Sequence, residues 1–459
     1  MKNHLIIVES PSKIKTLKKF LDDKYAVEAS VGHIRDLPKS NLGIQVDNNF
    51  QAEYHVSPNS TKTVQTLKKA LKNAEKLFIA TDPDREGEAI AWHIVDELKP
   101  KIPIKRLVFN EITKTAILDS FNNTRDIDTD LVDAQETRRF LDRMFGFMVS
   151  EKMWFNMKSG VSAGRVQSPA IKILVDREKE RTQFKQNEYW SLSGTFENKE
   201  SNINSKLIKI GEQKVATGTS FDKKTGKLFN ENDIVLNEKS INEFNKKLKE
   251  DLWKVTKLEK KPVTQKPYPP FITSTLQQEG IRQFKMSAQS VMRIAQTLYE
   301  NGYITYMRTD SVHLSKEAVS ASRKAIKKLY GDNFLPSSPI QYANKVKNAQ
   351  EAHEAIRPAG STFKHPDDLK NKLDSIQLKL YSLIWKRTLA SQMKNAKIER
   401  TNLWISNDEY IFEAKGKIVL FPGFLKVYVE ATDNKKDRDD TEIILPNITD
   451  QICMLYCMI

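Results

Sequence analysis

Residues Leu77–His93 read LFIATDPDREGEAIAWH, and the fold turns on how that stretch is understood. Leu77, Phe78 and Ile79 form a short apolar run of the kind that fills a buried strand. Asp82, Asp84, Glu86 and Glu88 then fall at every second position, interrupted by Pro83 and Gly87. In extended backbone, residues two apart project to one side, so these carboxylates can converge beyond the strand's end. Like charges crowded together repel and need a cation. Hard oxygen donors in a chain with 7 His favour Mg²⁺ over zinc. From Glu88 a helix can begin, with Ile90, Ala91 and Ile94 apolar. Acidic residues also suit a helix N-terminus, so on this stretch alone a metal site and a plain helix cap stand level.

Upstream, Leu5–Val8 is a second short buried-strand candidate, followed by Glu9-Ser10-Pro11-Ser12-Lys13. Ser12 can cap a helix carrying Ile14, Leu17 and Leu21 on one face. Glu9 therefore ends a strand, as Asp82 does. If the two strands are parallel neighbours, the carboxylates meet at one sheet edge, where α/β folds place their sites. Lys13, one turn into the helix, can reach the same spot; without that context it is an ordinary solvent lysine. Gly32–Pro38 is polar and turn-like, and Asn41–Pro58 reads as a long loop. Thr63–Leu77 reads as a Lys-rich helix and Leu107–Asn110 as a further strand. This alternation predicts an α/β domain with a mainly parallel sheet to about residue 125.

The chain has 459 residues, room for several domains. Lys plus Arg is 74 and Asp plus Glu 59, a net charge of +15. A basic chain that gathers acid at one place points to a polyanion and a metal, nucleic acid first, although many lysines simply solvate helix faces. With 2 Cys, a disulfide framework is excluded and a reducing compartment is expected. No stretch is long and apolar enough to span a membrane.

Glu9 within VESPSK, the run GHIRDLP, and TDPDREGEAIAWH together resemble the TOPRIM domain of bacterial DNA topoisomerase I, the type IA family. TOPRIM folds also serve primases and gyrase-type enzymes, so this region leaves the reaction open. The resemblance implies a Mg²⁺ site at Glu9, Asp82 and Asp84, with Glu86 nearby as a catalytic group and His33 as a DNA contact.

Asp130–Glu180 reads as helix, with Arg138, Arg139, Asp142 and Arg143 along it and Phe147 and Trp154 at helical-scale spacing. Ser162, Ala163, Gly164, Arg165, Val166 and Gln167 follow; small residues let backbone N–H groups approach phosphate while Arg165 adds charge. Arginines beside aromatics suit single-stranded nucleic acid. Core packing is the commoner role for two such aromatics, but this run is similar to the family's helical gate-base segment. That likeness implies a grip on single-stranded DNA upstream of the cleavage point, with Arg138, Arg139 and Asp142 lining the channel.

From about Glu188 the period changes to two: Trp190 with Leu192, Trp253 with Val255, Leu403 with Ile405, Tyr410 with Phe412, Val427 with Val429. These antiparallel patterns bracket a helical stretch over about 271–390, with Pro262, Pro267, Pro269 and Pro270 marking a hinge. Inside it, Ser287 caps a helix that Asn301-Gly302 stops. Tyr303–Ser311 reads GYITYMRTDS with the preceding glycine; if extended, Tyr306 and Arg308 share a side and Met307 faces inward. A tyrosine hydroxyl attacks phosphate poorly unless the developing charge is stabilised, which Arg308 can do. GYITYMRTDS is nearly the type IA active-site motif, with Tyr306 in the nucleophile's place, and QEAHEAIRP places His353 near it.

The expected architecture is a multidomain one. It has a TOPRIM α/β domain over 1–125 (loop about 38–62) and a helical gate-base segment over 126–187. A split antiparallel β domain covers 188–264 and 391–459, and a helical insertion over 265–390 carries Tyr306. The resemblance implies a type IA topoisomerase that relaxes negatively supercoiled DNA through a 5′-phosphotyrosine, with Lys13 and Arg308 stabilising the transferred phosphate. It implies Mg²⁺ and no ATP, in a monomer of the bacterial cytoplasm associated with the nucleoid. Cys453 and Cys457 lack a second pair, so no zinc is expected. The ending ITDQICMLYCMI reads as a truncated or frameshifted terminus, and the alternative is a single-strand-binding remnant that cannot relax DNA.

Overall fold

Leu5, Ile6, Ile7 and Val8, like Leu77, Phe78, Ile79 and Ala80, are apolar and buried at consecutive positions with no polar alternation, the signature of strands covered on both faces. The computed structural model describes residues 4–198, 201–247, 253–343, 354–407, 409–432, 441–445 and 451–458. Strands β1 (His4–Val8), β2 (Tyr25–Ala29), β3 (Lys76–Ala80) and β4 (Ile104–Arg106) form a parallel sheet in the order β2-β1-β3-β4. Helices α1 (Pro11–Leu17), α2 (Thr61–Leu71) and α3 (Arg85–Leu98) connect them and α4 (Lys114–Asn122) follows β4, and Val64, Leu67, Ile90 and Ile94 join Leu5, Ile7, Leu77 and Ile79 in one core. Val8 stands opposite Ala80, so Glu9 and Asp82 leave neighbouring strands at the same edge.

Several local readings change. Pro11 takes the first helical position of α1, so Ser10 rather than Ser12 precedes the helix. Helix α2 ends at Leu71 and the chain re-extends at Lys76. Leu107–Asn110 lies beyond β4, although the Leu107 amide still donates to the Ile79 carbonyl at 2.9 Å. Helix α3 starts three residues before Glu88, because Asp84 accepts from the Gly87 amide at 2.8 Å and caps it. The expected single helix over Asp130–Glu180 is two, α5 (Thr129–Asn156) and α6 (Gln167–Gln183), parted near Gly160, whose φ is +89°.

Contacts divide the chain into two units, residues 1–168 with 268–393, and 169–267 with 394–459, so that α6 crosses from one to the other. The second unit contains β5 (Ser193–Asn198), β6 (Ser201–Ile210), β7 (Gln213–Lys214), a helix α7 (Glu238–Lys247), β8 (Trp253–Gln265), β9 (Ala396–Ser406), β10 (Tyr410–Phe421) and β11 (Gln451–Met458). Its antiparallel order is β7-β6-β10-β9-β8-β11-β5, and β5 also pairs with β6, which closes the sheet into a ring. Phe196, Trp253 and Phe412 pack edge to face in its core, with ring centroids 5.1–5.4 Å apart. Val427 and Val429 are not on a strand: Pro422 and Gly423 turn the chain after β10 into a short 3-10 helix over Gly423–Lys426. Cys453 and Cys457 lie on β11.

The rest of the first unit is helical: α8 (Thr273–Phe284), α9 (Ala288–Glu300), α10 (Lys316–Tyr330) and α11 (Ser375–Ser391). Ser287 caps α9 as its sequence predicts, accepting from the Ser290 amide at 3.1 Å. Gly302 follows, with φ +72° and its Cα against the Ile112 carbonyl; a Cβ there would collide with that oxygen.

Candidate active site

The sheet edge gathers four charged groups of the first unit. Glu9 follows β1 and accepts weakly from the Asp82 amide at 3.5 Å. Lys13 is fully buried on α1 and pairs with Asp82, which is itself 5 % exposed. Gly87 lets the first turn of α3 press against the Asp82 backbone, where any Cβ would clash. Asp84 divides its oxygens: Oδ1 caps α3 and Oδ2 accepts from the Tyr306 hydroxyl at 2.5 Å. The helix cap and the functional carboxylate are therefore the same residue. Burial and the charges of Asp82 and Asp84 push the Glu9 carboxyl up to about 7, although Lys13 opposes them.

Tyr306 reaches this edge without a strand. Its amide donates to the Asn110 carbonyl at 2.8 Å, Thr305 Oγ1 donates to the Ala355 carbonyl at 2.8 Å, and Ile304 bridges Pro358. The chain here curls rather than extends, so Tyr306 and Met307 are both buried (2 % and 1 % exposed) while Arg308 stays accessible. The expected alternation thus holds at Met307, which faces inward, and fails at Tyr306, which is buried and does not share the exposed side of Arg308. The Tyr306 ring packs edge to face on Tyr299, centroids 5.2 Å apart, and the Lys13 ammonium lies 5.4 Å over the Tyr299 ring. Burial, then Asp82 and Asp84, hold the Tyr306 hydroxyl well above its ordinary value, and Arg308 pulls the other way. Burial disfavours the charged Arg308, yet Tyr306, Asp84, Asp82 and Glu9 together keep its pKa raised.

Glu86 does not join this cluster. Helix α3 turns it away, and its Oε2 meets His33 Nε2 at 3.3 Å and accepts from Gln135 at 3.1 Å. The His33 hydrogen bond is the main reason its carboxyl is lowered. His33, Glu86, Arg138, Arg139 and Asp142 line an adjoining pocket of about 300 Å³. Arg139 pairs with Asp36 at 2.5 Å, and Asp142 accepts both a 2.5 Å and a 3.0 Å hydrogen bond from Arg165. Phe147 and Trp154 are 40 % and 49 % exposed rather than core, with the Arg143 guanidinium 4.3 Å over the Phe147 ring. In the 162–167 loop, the Ala163 amide is taken by Ser150 Oγ at 3.0 Å, the Gly164 amide by Ser168 Oγ at 3.2 Å, and Gln167 donates to Ser162 Oγ at 3.1 Å. Val166 is exposed. His353 lies outside the described residues.

Three groups escaped the reading of the sequence. Arg106, fully buried at the end of β4, donates to the carbonyls of Ile79, Thr81 and Asp82 (3.1, 3.1 and 2.9 Å) and to Glu88 at 3.1 Å. It ties down the strand end that presents Asp82. Arg357 is locked between Glu111 at 2.8 Å and Glu354 at 2.6 Å, and Glu111 also accepts from the Gly360 amide, which holds the Tyr306 segment beside Asn110. Arg143 donates to the carbonyls of Pro38, Asn41 and Leu42, anchoring the 38–62 loop on α5. Each is a lone arginine among 74 basic residues, with no local pattern to mark it.

Among the described residues, no three His, Cys, Asp or Glu side chains are gathered closely enough to cage a metal ion. Lys13 holds one Asp82 oxygen and Tyr306 one Asp84 oxygen. The donor set still fits Mg²⁺, which is usually bound by one or two carboxylates plus waters and phosphate rather than by an all-protein cage. Burial first, and then the neighbouring charges of Asp82 and Asp84, raise Glu9, and a cation would relieve the second of these.

Residues 4–112 match the Toprim domain family and residues 126–452 the DNA topoisomerase family. The chain is 46% identical to DNA topoisomerase 1 of Synechococcus elongatus over 458 residues, covering 96% of this chain and 52% of that protein. It is also 46% identical to DNA topoisomerase 1 of Mycolicibacterium smegmatis, covering 97% and 50% respectively. The solved structure of full-length topoisomerase I from Thermotoga maritima superposes with a TM-score of 0.78 at 34% identity, over 99% of this chain and 71% of that one. The chain spans about half the length of the curated relatives it matches.

Proposed function

This chain belongs to the bacterial type IA DNA topoisomerase family, and we propose that it breaks and rejoins one strand of DNA through Tyr306, relaxing negative supercoils. The observation that carries the proposal is the Tyr306 hydroxyl seated on Asp84 at the carboxylate edge, its ring buried beside Tyr299. Attack by the Tyr306 oxygen on a phosphodiester forms a phosphotyrosine at the 5′ side and frees a 3′-hydroxyl. Asp84 Oδ2 is the nearest acceptor for the tyrosine proton. Glu9, its pKa pushed up to about 7, is protonated in about half the molecules at neutral pH, so it can give a proton to the leaving 3′-oxygen and take it back on rejoining. Lys13 and Arg308 face the transferred phosphate as fixed cations, a contribution of roughly 3 kcal/mol per donor in comparable sites. Asp82 and Asp84, with Glu9, would hold Mg²⁺, whose chemistry when bound is to neutralise charge beside the phosphate and the 3′-hydroxyl.

The covalent link conserves the bond energy, so the reading needs no ATP, and it needs no zinc. Its substrate is single-stranded DNA exposed in underwound duplex, gripped at Arg138, Arg139, Asp142 and the exposed Phe147 and Trp154. Glu86 and His33 belong to that grip more than to the chemistry, given where their side chains meet. We further propose a monomer at work in the bacterial cytoplasm, on the nucleoid; among the described residues no helix is long and apolar enough to cross a membrane.

The test is to mix the chain with a single-stranded oligonucleotide, denature, and look for a covalent adduct. An adduct lost in Tyr306→Phe supports the assignment, since only the nucleophilic oxygen is removed; an undiminished adduct in that variant refutes it. Asp82→Asn, which leaves the Asp84 acceptor of the tyrosine proton in place, should block rejoining more than cleavage, and rejoining that persists at low Mg²⁺ would refute the metal assignment.

A further inference from the structure

A larger pocket, about 910 Å³, lies in the helical insertion between α10 and the segment that follows it. Its volume is that of a ligand site, and nothing in the strand-breaking reaction uses it. Leu314, Leu335, Pro336 and Ile340 contribute an apolar floor. Along one wall, Lys316, Arg323, Lys324 and Lys327 recur on the same face of α10, and among the described residues that line the pocket Asp332 is the one acid. Asp332 is already spent on Lys327, 3.1 Å away, and neither Lys316 nor Lys324 meets an acid among the described residues. Arg323 is pinned by a 2.9 Å hydrogen bond from Nη2 to the Pro336 carbonyl, and its Nη1 is shut from solvent without a hydrogen-bond partner. The pocket is therefore apolar below, cationic along one side, and left with a donor unsatisfied. A flat apolar group joined to an anion matches it, as in one nucleotide of an unpaired strand.

His313, on its rim, is seven residues from Tyr306, which bounds the separation of their Cα atoms to about 25 Å. A strand lying on Tyr306 can thus reach it. We propose that this pocket takes a nucleotide of single-stranded DNA, phosphate on the α10 cations and base on the apolar floor, as a second hold on the strand from the module that bears the tyrosine. The proposal goes beyond the strand-breaking reading and does not depend on its chemistry.

The experiment uses the full chain carrying Tyr306→Phe and an oligothymidylate containing photoreactive 4-thiothymidine. Crosslinked peptides should map to residues 312–342 as well as to α5. Lys316→Gln with Lys324→Gln, at two exposed positions, should remove the first set, spare the second, and flatten the slope of log affinity against log salt by about 1.4, the loss of two single-strand phosphate contacts. Lys316→Arg with Lys324→Arg should restore both. Label confined to α5, an unchanged salt slope, or failure of the arginine pair to rescue would overturn the proposal. So would displacement of the 312–342 label by oligoglutamate as effective as by oligothymidylate, which would mark the pocket as a site for an acidic protein.

Discussion

Asp82 and Glu88 stand six residues apart on one acidic stretch, both almost wholly buried, and their surroundings are opposite. Glu88 is matched by two arginines: Arg106 donates at 3.1 Å, Arg125 at 2.8 and 2.9 Å, and the Asp128 amide at 2.8 Å. Burial works against its charge, but those partners win and the carboxyl is lowered. Asp82 shares its surroundings with two other carboxylates, Glu9 and Asp84, and burial together with the charges of Asp82 and Asp84 raises Glu9 beyond what Lys13 offsets. A saturated acid holds structure, whereas an undersupplied one keeps a proton or attracts a cation. In sequence the two look alike; the difference is made by arginines that arrive from β4 and from the segment after α4.

The comparison breaks most visibly at Arg106. Replacing it with Met takes one of Glu88's two arginines and removes a buried donor from the carbonyls of Ile79, Thr81 and Asp82, so unfolding in urea should show a loss of about 3–5 kcal/mol. Lys13→Met should cost less stability and more chemistry, because Lys13 serves a site already in conflict. If both substitutions destabilise equally while leaving adduct formation alike, the contrast is wrong.

A pH series sharpens the other half. Glu9 binds its proton more tightly folded (about 7) than unfolded (near 4.5), so the native state loses stability as pH rises from about 4.5 to 7. Above that window the deficit has a ceiling of about 3 kcal/mol, 1.36 kcal/mol per unit over the shift. Glu9→Gln should therefore raise the melting temperature at pH 8 in metal-free buffer and leave it nearly unchanged at pH 4. Equal effects at both pH values would contradict the crowding argument. In the wild type, oligonucleotide cleavage should fall as pH passes upward through about 7, where Glu9 loses the proton it donates.

The smallest effect belongs to Glu86, whose carboxyl is lowered chiefly by His33. Its contribution is present above the unfolded carboxylate pKa and fades as pH falls through the lower folded value. Both side chains are 37% exposed, so screening keeps the loss in His33→Ala well under about 1 kcal/mol at neutral pH. A larger loss would place Glu86 with Glu88 among the structural acids.

Much of this was legible beforehand, for physical reasons that vary by residue. The parallel sheet follows from unbroken apolar runs at Leu5–Val8 and Leu77–Ile79, and its register brings Glu9 beside Asp82. The start of α3 was misread because period-two spacing was carried past Asp84, where the Gly87 amide closes a helical turn and sends Glu86 to His33 instead. Tyr306 was put on the side of Arg308 for a similar reason: alternation assumes a strand, and hydrogen bonds to Asn110 and around Arg357 bend the segment. Arg106, Arg143 and Arg357 were beyond reach, since their partners are distant in the chain and only the fold introduces them.

The closed sheet of the second unit sets a schedule for synthesis. Strand β5 is complete by Asn198, yet one of its two neighbours, β11, begins at Gln451, about 250 residues later. At about 5–20 residues per second, the ribosome leaves that flank of β5 waiting roughly 10–50 s. Meanwhile the helical insertion, 268–393, is finished and can pack with the sheet domain already made, so the first unit can be born folded before the ring can close.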